Sequence, residues 1–202
     1  MISSQEALAK LKQGNQRFVD CQFKATEQID QSSRSAKAAS QAPFAIILGC
    51  ADSRTPAELI FDQGLGELFV VRVAGNIAAA SQIGSIEYAV ESFGTPLVVV
   101  MGHTNCGAVN ATVDFMAKGD VPFESDSLTA LVKRIAPSVQ PLLKNDNSNH
   151  AEVKQLGVSA NVKTSMQDLV NESPVLQKAI EDERLQIVGA EYSLETGEVK
   201  FL

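Results

Sequence analysis

The chain has 202 residues, of which 45% are hydrophobic and 20% charged, and its formal net charge is −7 at pH 7. A chain of this length supports one well-buried core, so we expect a single catalytic domain over residues 1–202. The negative charge and the lack of a Lys/Arg cluster argue against nucleic acid as a partner. No apolar run approaches the roughly 20 residues of a membrane span, so we expect no membrane partner either.

The elements predicted up to residue 93 are, in order, helix 4–21, a polar segment 22–41 with a possible second helix, strand 44–49, short helix 56–62, strand 67–73 and helix 83–93. The elements predicted after it are strand 97–102, helices 106–118, 127–143, 153–170 and 174–183, strand 185–190, a turn at 195–198 and a last short strand 199–202. Strands that alternate with helices indicate an α/β fold with a mainly parallel central sheet flanked by helices. We expect residues 1–42 to form an N-terminal helical arm and residues 43–202 to form the core.

The three cysteines are an odd number, and two of them fall in a pattern typical of metal ligands. This usage fits a reducing cytoplasm better than a disulfide framework. The first 20 residues have no apolar core and no cleavage signature, so they do not resemble a signal peptide. A precursor whose signal peptide had already been removed would show the same pattern.

The candidate metal ligands follow two apolar, β-rich runs. Cys50 comes directly after the first run, and His103 and Cys106 come directly after the second. Two cysteines and one histidine suit Zn²⁺, and a zinc ion with three protein ligands keeps a fourth position for water, as catalytic sites do. Neither Cys50 nor the pair of His103 and Cys106 is strong evidence for a metal site by itself, because a lone cysteine is most often a small buried hydrophobic residue. Together they predict a metal site at the carboxyl ends of parallel strands, where ligands gather in open sheets.

Asp52 and Arg54 accompany the first ligand. Alternate residues of an extended segment point the same way, so Cys50, Asp52 and Arg54 project to one side if the chain stays extended there. Arg54 would then pair with Asp52 and keep it ionised. Asp52 could accept a hydrogen bond from a zinc-bound hydroxide, or, turned away from Arg54, fill the fourth coordination position. The alternative is a surface ion pair with no role in the chemistry.

Four segments make the chain resemble a β-class carbonic anhydrase of the bacterial type. They are Cys-Ala-Asp-Ser-Arg at 50–54, Gly-Glu-Leu-Phe-Val-Val-Arg at 66–72, Ile-Glu-Tyr-Ala-Val at 86–90 and Gly-His-Thr-Asn-Cys-Gly at 102–107. The resemblance implies the α/β fold of that family and one Zn²⁺ per chain at Cys50, His103 and Cys106. It implies reversible hydration of CO2 to bicarbonate and a proton through zinc-bound hydroxide, which the Asp52–Arg54 pair would orient.

The same resemblance implies a homodimer or homotetramer with the active site near the subunit boundary and the N-terminal arm on a partner subunit. Gln41 matches a glutamine that can hold substrate oxygen, and Phe69 and Tyr88 match an aromatic pocket wall. A dry wall would hold an apolar substrate against the nucleophile. Plain packing is the alternative for both aromatic residues.

Two other functions remain open at this stage. One is a zinc hydrolase of a CO2 analogue such as CS2 or COS, which would use the same metal chemistry. The other is a non-catalytic zinc-binding or thiol-redox protein. The Asp52–Arg54 pair and the lack of a CxxC motif argue against the second alternative.

Overall fold

The central sheet has five strands in the order β2-β1-β3-β4-β5. The computed structural model describes residues 2–25, 30–119, 125–144 and 149–202. Its strands are β1 Ala45–Gly49, β2 Leu68–Arg72, β3 Leu97–His103, β4 Gln186–Tyr192 and β5 Val199–Phe201. Its helices are α1 Ser4–Val19, α2 Gln31–Lys37, α3 Ala57–Ile60, α4 Ala80–Phe93, α5 Gly107–Ala117, α6 Asp126–Leu143, α7 His150–Asn171 and α8 Pro174–Glu181, and a 3₁₀ turn covers Ala74–Asn76.

Strands β1 to β4 pair in parallel, and β5 returns antiparallel to β4. Every residue of β1 and β3 is buried, because helices cover both faces of the sheet and the strands lie at its centre. This burial explains why the two runs are continuously apolar rather than alternating. The predicted α/β class with a mainly parallel sheet is confirmed.

The helical part of the N-terminal segment packs on the chain's own core. A capping box between Ser3 and Glu6 starts α1, and Ala7 and Leu11 are fully buried against residues of β1, β3 and α3. The helix ends earlier than predicted, and Cys21, just beyond its end, has a φ of 55°. The possible second helix exists as α2, whereas residues 26–29 of the polar segment lie outside the described residues.

Two helices begin three residues before their predicted starts. Helix α4 begins at Ala80, and α7 begins at His150 because the Asn149 side chain caps it by accepting a hydrogen bond from the Glu152 N–H. The His150 ring is half-exposed in the first turn of α7, with Nε2 2.6 Å from Asp114 Oδ1. Residues 145–148, between α6 and α7, lie outside the part of the chain that the structure describes.

Two glycines of the sheet face helix α7 and leave no room for a side chain between them and the helix. A Cβ atom added to Gly102 of β3 would stand 2.8 Å from Val162 Cγ2 and 3.0 Å from Val158 Cγ1. At Gly189 of β4 it would stand 2.9 Å from Val162 Cγ1. Since valine side chains on a helix are stiff, neither neighbour can yield cheaply. The two glycines therefore set the depth at which α7 packs beside the end of β3.

We expect Gly102→Ala to destabilise the protein by about 1–3 kcal/mol, because the new methyl group overpacks a rigid contact. The matched control is Gly84→Ala in α4, where an added Cβ meets nothing within 4 Å. That change should stabilise by about 0.5–1 kcal/mol, because alanine loses less conformational entropy in a helix. Urea unfolding of the two variants beside the wild type measures both. Equal effects of the two substitutions would contradict the close packing of α7.

Candidate metal centre

The predicted metal ligands come together at one edge of the sheet. Gly49 pairs with Met101, so the chain leaving β1 and the end of β3 lie side by side at the carboxyl edge. Cys106 follows as the residue that precedes the first turn of α5. The two sulfur atoms and a ring nitrogen of His103 all lie within 4.8 Å of one another. All three residues are buried, with exposed fractions of 5% or less.

The orientation of the His103 ring leaves one nitrogen for a ligand. Its Nδ1 lies 2.9 Å from the Thr104 carbonyl oxygen, and a carbonyl only accepts, so Nδ1 carries the proton. Nε2 then presents a lone pair, yet it is buried and has no hydrogen-bond partner among the described residues. An unmet buried polar atom costs about 1–3 kcal/mol. A metal ion bound between the two sulfurs would satisfy it, and histidine ligands typically donate their other ring N–H to a backbone carbonyl or carboxylate, as Nδ1 does here.

The two cysteines influence each other's protonation. A hydrogen bond from Cys106 lowers the pKa of Cys50 against the opposing effect of burial. The same interaction, together with burial, raises the pKa of Cys106 far above its ordinary value. Two adjacent buried thiolates repel each other, so both ionise together only when a cation lies between them. The donor set of two sulfurs and one nitrogen is the kind that Zn²⁺ prefers.

The Cys50 sulfur also accepts two backbone hydrogen bonds. The N–H groups of Asp52 and Gly75 both lie 3.4 Å from Cys50 Sγ. Gly75 belongs to the 3₁₀ turn after β2 and has a φ of 70°, a conformation that glycine adopts without steric cost. Backbone donors of this kind stabilise the thiolate form that binds metals.

Asp52 lies beside this cluster and is held by Arg54. Arg54 Nε donates to Asp52 Oδ1 at 2.9 Å, and its Nη2 donates to Oδ2 at 2.7 Å, which is the two-pronged geometry of a strong pair. The hydrogen bonds from this guanidinium hold the pKa of Asp52 well below its usual range against the opposing effect of burial, and the Arg54 backbone N–H lowers it further. Asp52 Oδ2 also lies 3.8 Å from His103 Nε2. The carboxylate is therefore ionised and close to the ligand atoms.

Two residues that the sequence reasoning did not connect to this loop hold its backbone in place. Arg72 at the end of β2 donates from Nε to the Cys50 carbonyl at 2.9 Å and from Nη2 to the Asp52 carbonyl at 2.6 Å. The buried Thr55 hydroxyl lies within hydrogen-bond distance of the same two carbonyls. The sequence carries no local signal for this role, because Arg72 reaches the loop only through the pairing of β2 with β1.

Three predicted substrate-binding residues lie away from the cluster. Gln41 is exposed and precedes β1, so it lies toward the opposite edge of the sheet from Cys50. Phe69 pairs with Ile46 near the start of β1. Its ring lies 6.4 Å from the ring of Tyr88, which is 55% exposed. Within one chain, these residues do not surround the candidate metal ligands.

Comparison with known proteins agrees with this geometry. Residues 45–199 match the family model described as carbonic anhydrase. The chain belongs to the β-carbonic anhydrase family. Carbonic anhydrase 2 of Mycobacterium tuberculosis is 42% identical over 188 residues, which cover 93% of this chain and 87% of the relative. The predicted family membership and enzyme class are confirmed.

Solved structures of the family share the fold. A Coccomyxa β-carbonic anhydrase in complex with acetazolamide is 27% identical with a TM-score of 0.74, over 96% of this chain and 86% of that one. A β-carbonic anhydrase of Sordaria macrospora, described as tetrameric, is 24% identical with a TM-score of 0.68, over 82% of this chain and 83% of that one. β-Carbonic anhydrases are metalloenzymes that hydrate CO2, and in this chain Cys50, His103 and Cys106 form a group that could hold a metal ion.

We expect removal of metal by a chelator to lower the thermal unfolding midpoint, and added Zn²⁺ to restore it, because bound metal stabilises only the folded state. Cys106→Ser should abolish this response by removing one ligand. Cys21→Ser is the matched control, because Cys21 is exposed and lies outside the cluster. Thermal scans with and without chelator measure the difference. A Cys106→Ser protein that still responds like the wild type would contradict this assignment.

Proposed function

We propose that the chain hydrates CO2 reversibly to bicarbonate and a proton, with one Zn²⁺ per chain held by Cys50, His103 and Cys106. The observation that carries this proposal is the buried, unpartnered Nε2 atom of His103, whose ring lies against two cysteine sulfurs. Three protein ligands leave one position for water, which is the arrangement of catalytic rather than structural zinc.

When bound, Zn²⁺ lowers the pKa of a coordinated water so that a hydroxide nucleophile is available near neutral pH. The residues of the chain then have separate tasks. Asp52, kept ionised by Arg54, can only accept a hydrogen bond. It therefore orients a nucleophile that carries a proton, such as hydroxide, and disfavours an anion at the same position that has no proton to donate. Arg72 and Thr55 keep the backbone of Asp52 fixed while this happens.

A second copy of the chain would complete the substrate pocket. Gln41, Phe69 and Tyr88 lie toward the opposite edge of the sheet from Cys50, so they can serve only the site of another copy. In a homodimer with a two-fold axis, the sheet edge of each chain that carries Gln41, Phe69 and Tyr88 would lie at the metal site of the other chain. A homotetramer could contain two such pairs. The half-exposed ring of Tyr88 is available for such a contact.

Residues 1–202 form one catalytic domain in this proposal, since α1 packs into the same core as β1 and β3. Within the described residues, no helix is long and apolar enough to cross a membrane. We place the enzyme in the cytoplasm because its three cysteines are unpaired and two of them must stay reduced to bind metal. Hydrolysis of CS2 or COS would use the same cluster, but no feature of the described residues favours it.

The experiment that tests the reaction is stopped-flow CO2 hydration across about pH 6.5–9, with zinc measured on the same sample. We expect turnover to rise toward alkaline pH at one zinc per chain. Two thiolates donate more charge than imidazoles, so the coordinated water should be less acidic than in a site of three histidines.

The control for this assay is Asp52→Asn, which keeps the shape of the side chain but makes it a weaker hydrogen-bond acceptor. It should retain zinc and lose most of the turnover. A zinc-loaded wild type that is inactive on CO2 but active on CS2 or COS would replace the proposed substrate. Full zinc without activity on any of them would favour a structural metal site.

A complementation experiment tests the proposed sharing of the site between copies. We expect Cys50→Ser to be inactive and Gln41→Ala/Tyr88→Ala to be impaired, because one lacks a ligand and the other lacks the pocket. When the two variants are co-expressed in equal amounts, about half of the dimers should be hybrids, and each hybrid should contain one intact site out of two. The mixture should therefore have about one quarter of the intact sites of the wild type. CO2 hydration per chain gives the answer. Activity no higher than the average of the two separate variants would show that these residues do not act across the interface.

A further inference from the structure

A buried asparagine on α7 contacts the turn that supports Cys50. Asn161 is only 1% exposed, and its Nδ2 donates to the Gly75 carbonyl oxygen at 2.7 Å. Its Oδ1 is buried and has no hydrogen-bond partner within the described ranges. Burying a polar amide with one unmet atom costs about 1–3 kcal/mol. Stability alone therefore does not account for an asparagine at this position.

The Gly75 residue connects Asn161 to the candidate metal site. Its carbonyl accepts from Asn161, and its N–H points at Cys50 Sγ, 3.4 Å away. Gly75 and the next residue, Asn76, both have positive φ values, of 70° and 43°. Two successive residues in this region are uncommon, and a non-glycine residue there needs support from its surroundings. The Asn161 hydrogen bond to the Gly75 carbonyl and the bond from the Asn76 N–H to the Val73 carbonyl together fix the Gly75–Asn76 peptide, which supports both backbone conformations.

Both elements that Asn161 joins are closely packed. The neighbouring residue Val162 contacts Gly102 and Gly189 so closely that no added Cβ atom would fit there. A Cβ atom on Gly75 would likewise stand 2.6 Å from Ile135 Cδ1. The amide of Asn161 therefore lies between a helix that packs directly on the sheet and a turn that packs directly on Ile135 of α6. In such a dry environment a hydrogen bond is stronger than in water.

We propose that Asn161 is a positioning residue for the metal site, acting through Gly75 on the Cys50 sulfur. By fixing the Gly75–Asn76 peptide it restricts the backbone angles of Gly75, and these set the direction of the Gly75 N–H at the Cys50 sulfur. That N–H holds the thiolate in place and offsets part of its charge. Partners outside the ligand shell typically change metal affinity by about 10–100-fold when they are removed. This inference rests on the proposed zinc site and adds to it a residue 111 positions away from Cys50 in sequence.

The test compares Asn161→Ala and Asn161→Leu with the wild type. Leucine has the branched shape of asparagine without a donor, so it separates loss of the hydrogen bond from loss of volume. The control is Leu169→Ala, a fully buried residue two turns further along α7. This control should lose at least as much stability without contacting the turn. The readouts are zinc affinity by chelator competition and the absorption spectrum of the Co²⁺-substituted protein.

We expect both Asn161 variants to bind zinc about 10–100-fold more weakly and the control to bind as the wild type does. The sulfur-to-cobalt charge-transfer band should move to longer wavelength, because a thiolate that loses an N–H donor gives up its electrons more easily. Unchanged affinity and spectrum in folded Asn161 variants would overturn the inference while leaving the proposed function intact. A wild type that binds no metal would overturn both.

A measurement on the wild type does not depend on the variants folding. In the ¹¹³Cd-substituted protein, a hydrogen bond from Gly75 N–H to a metal-bound sulfur transmits a scalar coupling between the amide proton and the cadmium. We expect this coupling at Gly75. Its absence would show that the Gly75 N–H does not reach the metal-bound Cys50, and the role of Asn161 would fall with it.

Discussion

The parallel pairing of β1 with β3 is the constraint on which the whole site depends. Neither strand contributes a side chain to the cluster until its end, but their register brings Cys50 and His103 to the same edge. Since successive side chains of a strand point to opposite faces, a slip of one residue would turn one ligand away from the other. Such a slip would also move buried apolar side chains, because every residue of both strands lies in the core. The energy that fixes the register is therefore the packing of the whole sheet, and the ligand geometry follows from it.

The second requirement of the site is to hold negative charge in a buried place. Two cysteine sulfurs and the Asp52 carboxylate crowd one end of the sheet, and burial opposes the ionisation of each. The fold supplies fixed partial charges there: N–H groups of Asp52 and Gly75 at one sulfur, and the first backbone N–H groups of α5 near the other. Arg54 neutralises Asp52 from the solvent side. What these groups leave uncompensated is the mutual repulsion of two thiolates, which a divalent cation removes.

Local sequence patterns were sufficient for the fold class and for the residues of the cluster. Continuous apolar runs followed by Cys50 and His103 indicated two buried strands with candidate ligands at their ends, and the structure has both strands buried and brings the two side chains together. The supporting contacts were not accessible in this way, because Arg72, Gly75 and Asn161 meet the Cys50 loop only through tertiary packing. The glycines at 102 and 189 show the reason. Their importance comes from Val158 and Val162 on a helix more than 50 residues away from Gly102, and no local pattern records that approach.

The separation of the metal ligands from Gln41, Phe69 and Tyr88 has a physical consequence for the enzyme. In the proposed enzyme, a metal ion at the carboxyl edge of the sheet would activate water, whereas the aromatic surface proposed to hold CO2 lies toward the other edge. One chain alone would then expose its nucleophile to bulk water and leave the Tyr88 ring in solvent. Association of two chains would remove both problems, because the aromatic surface of one copy would exclude water from the site of the other. Assembly and catalysis are coupled in this arrangement, so a change that weakens the contact between copies lowers turnover without touching a metal ligand.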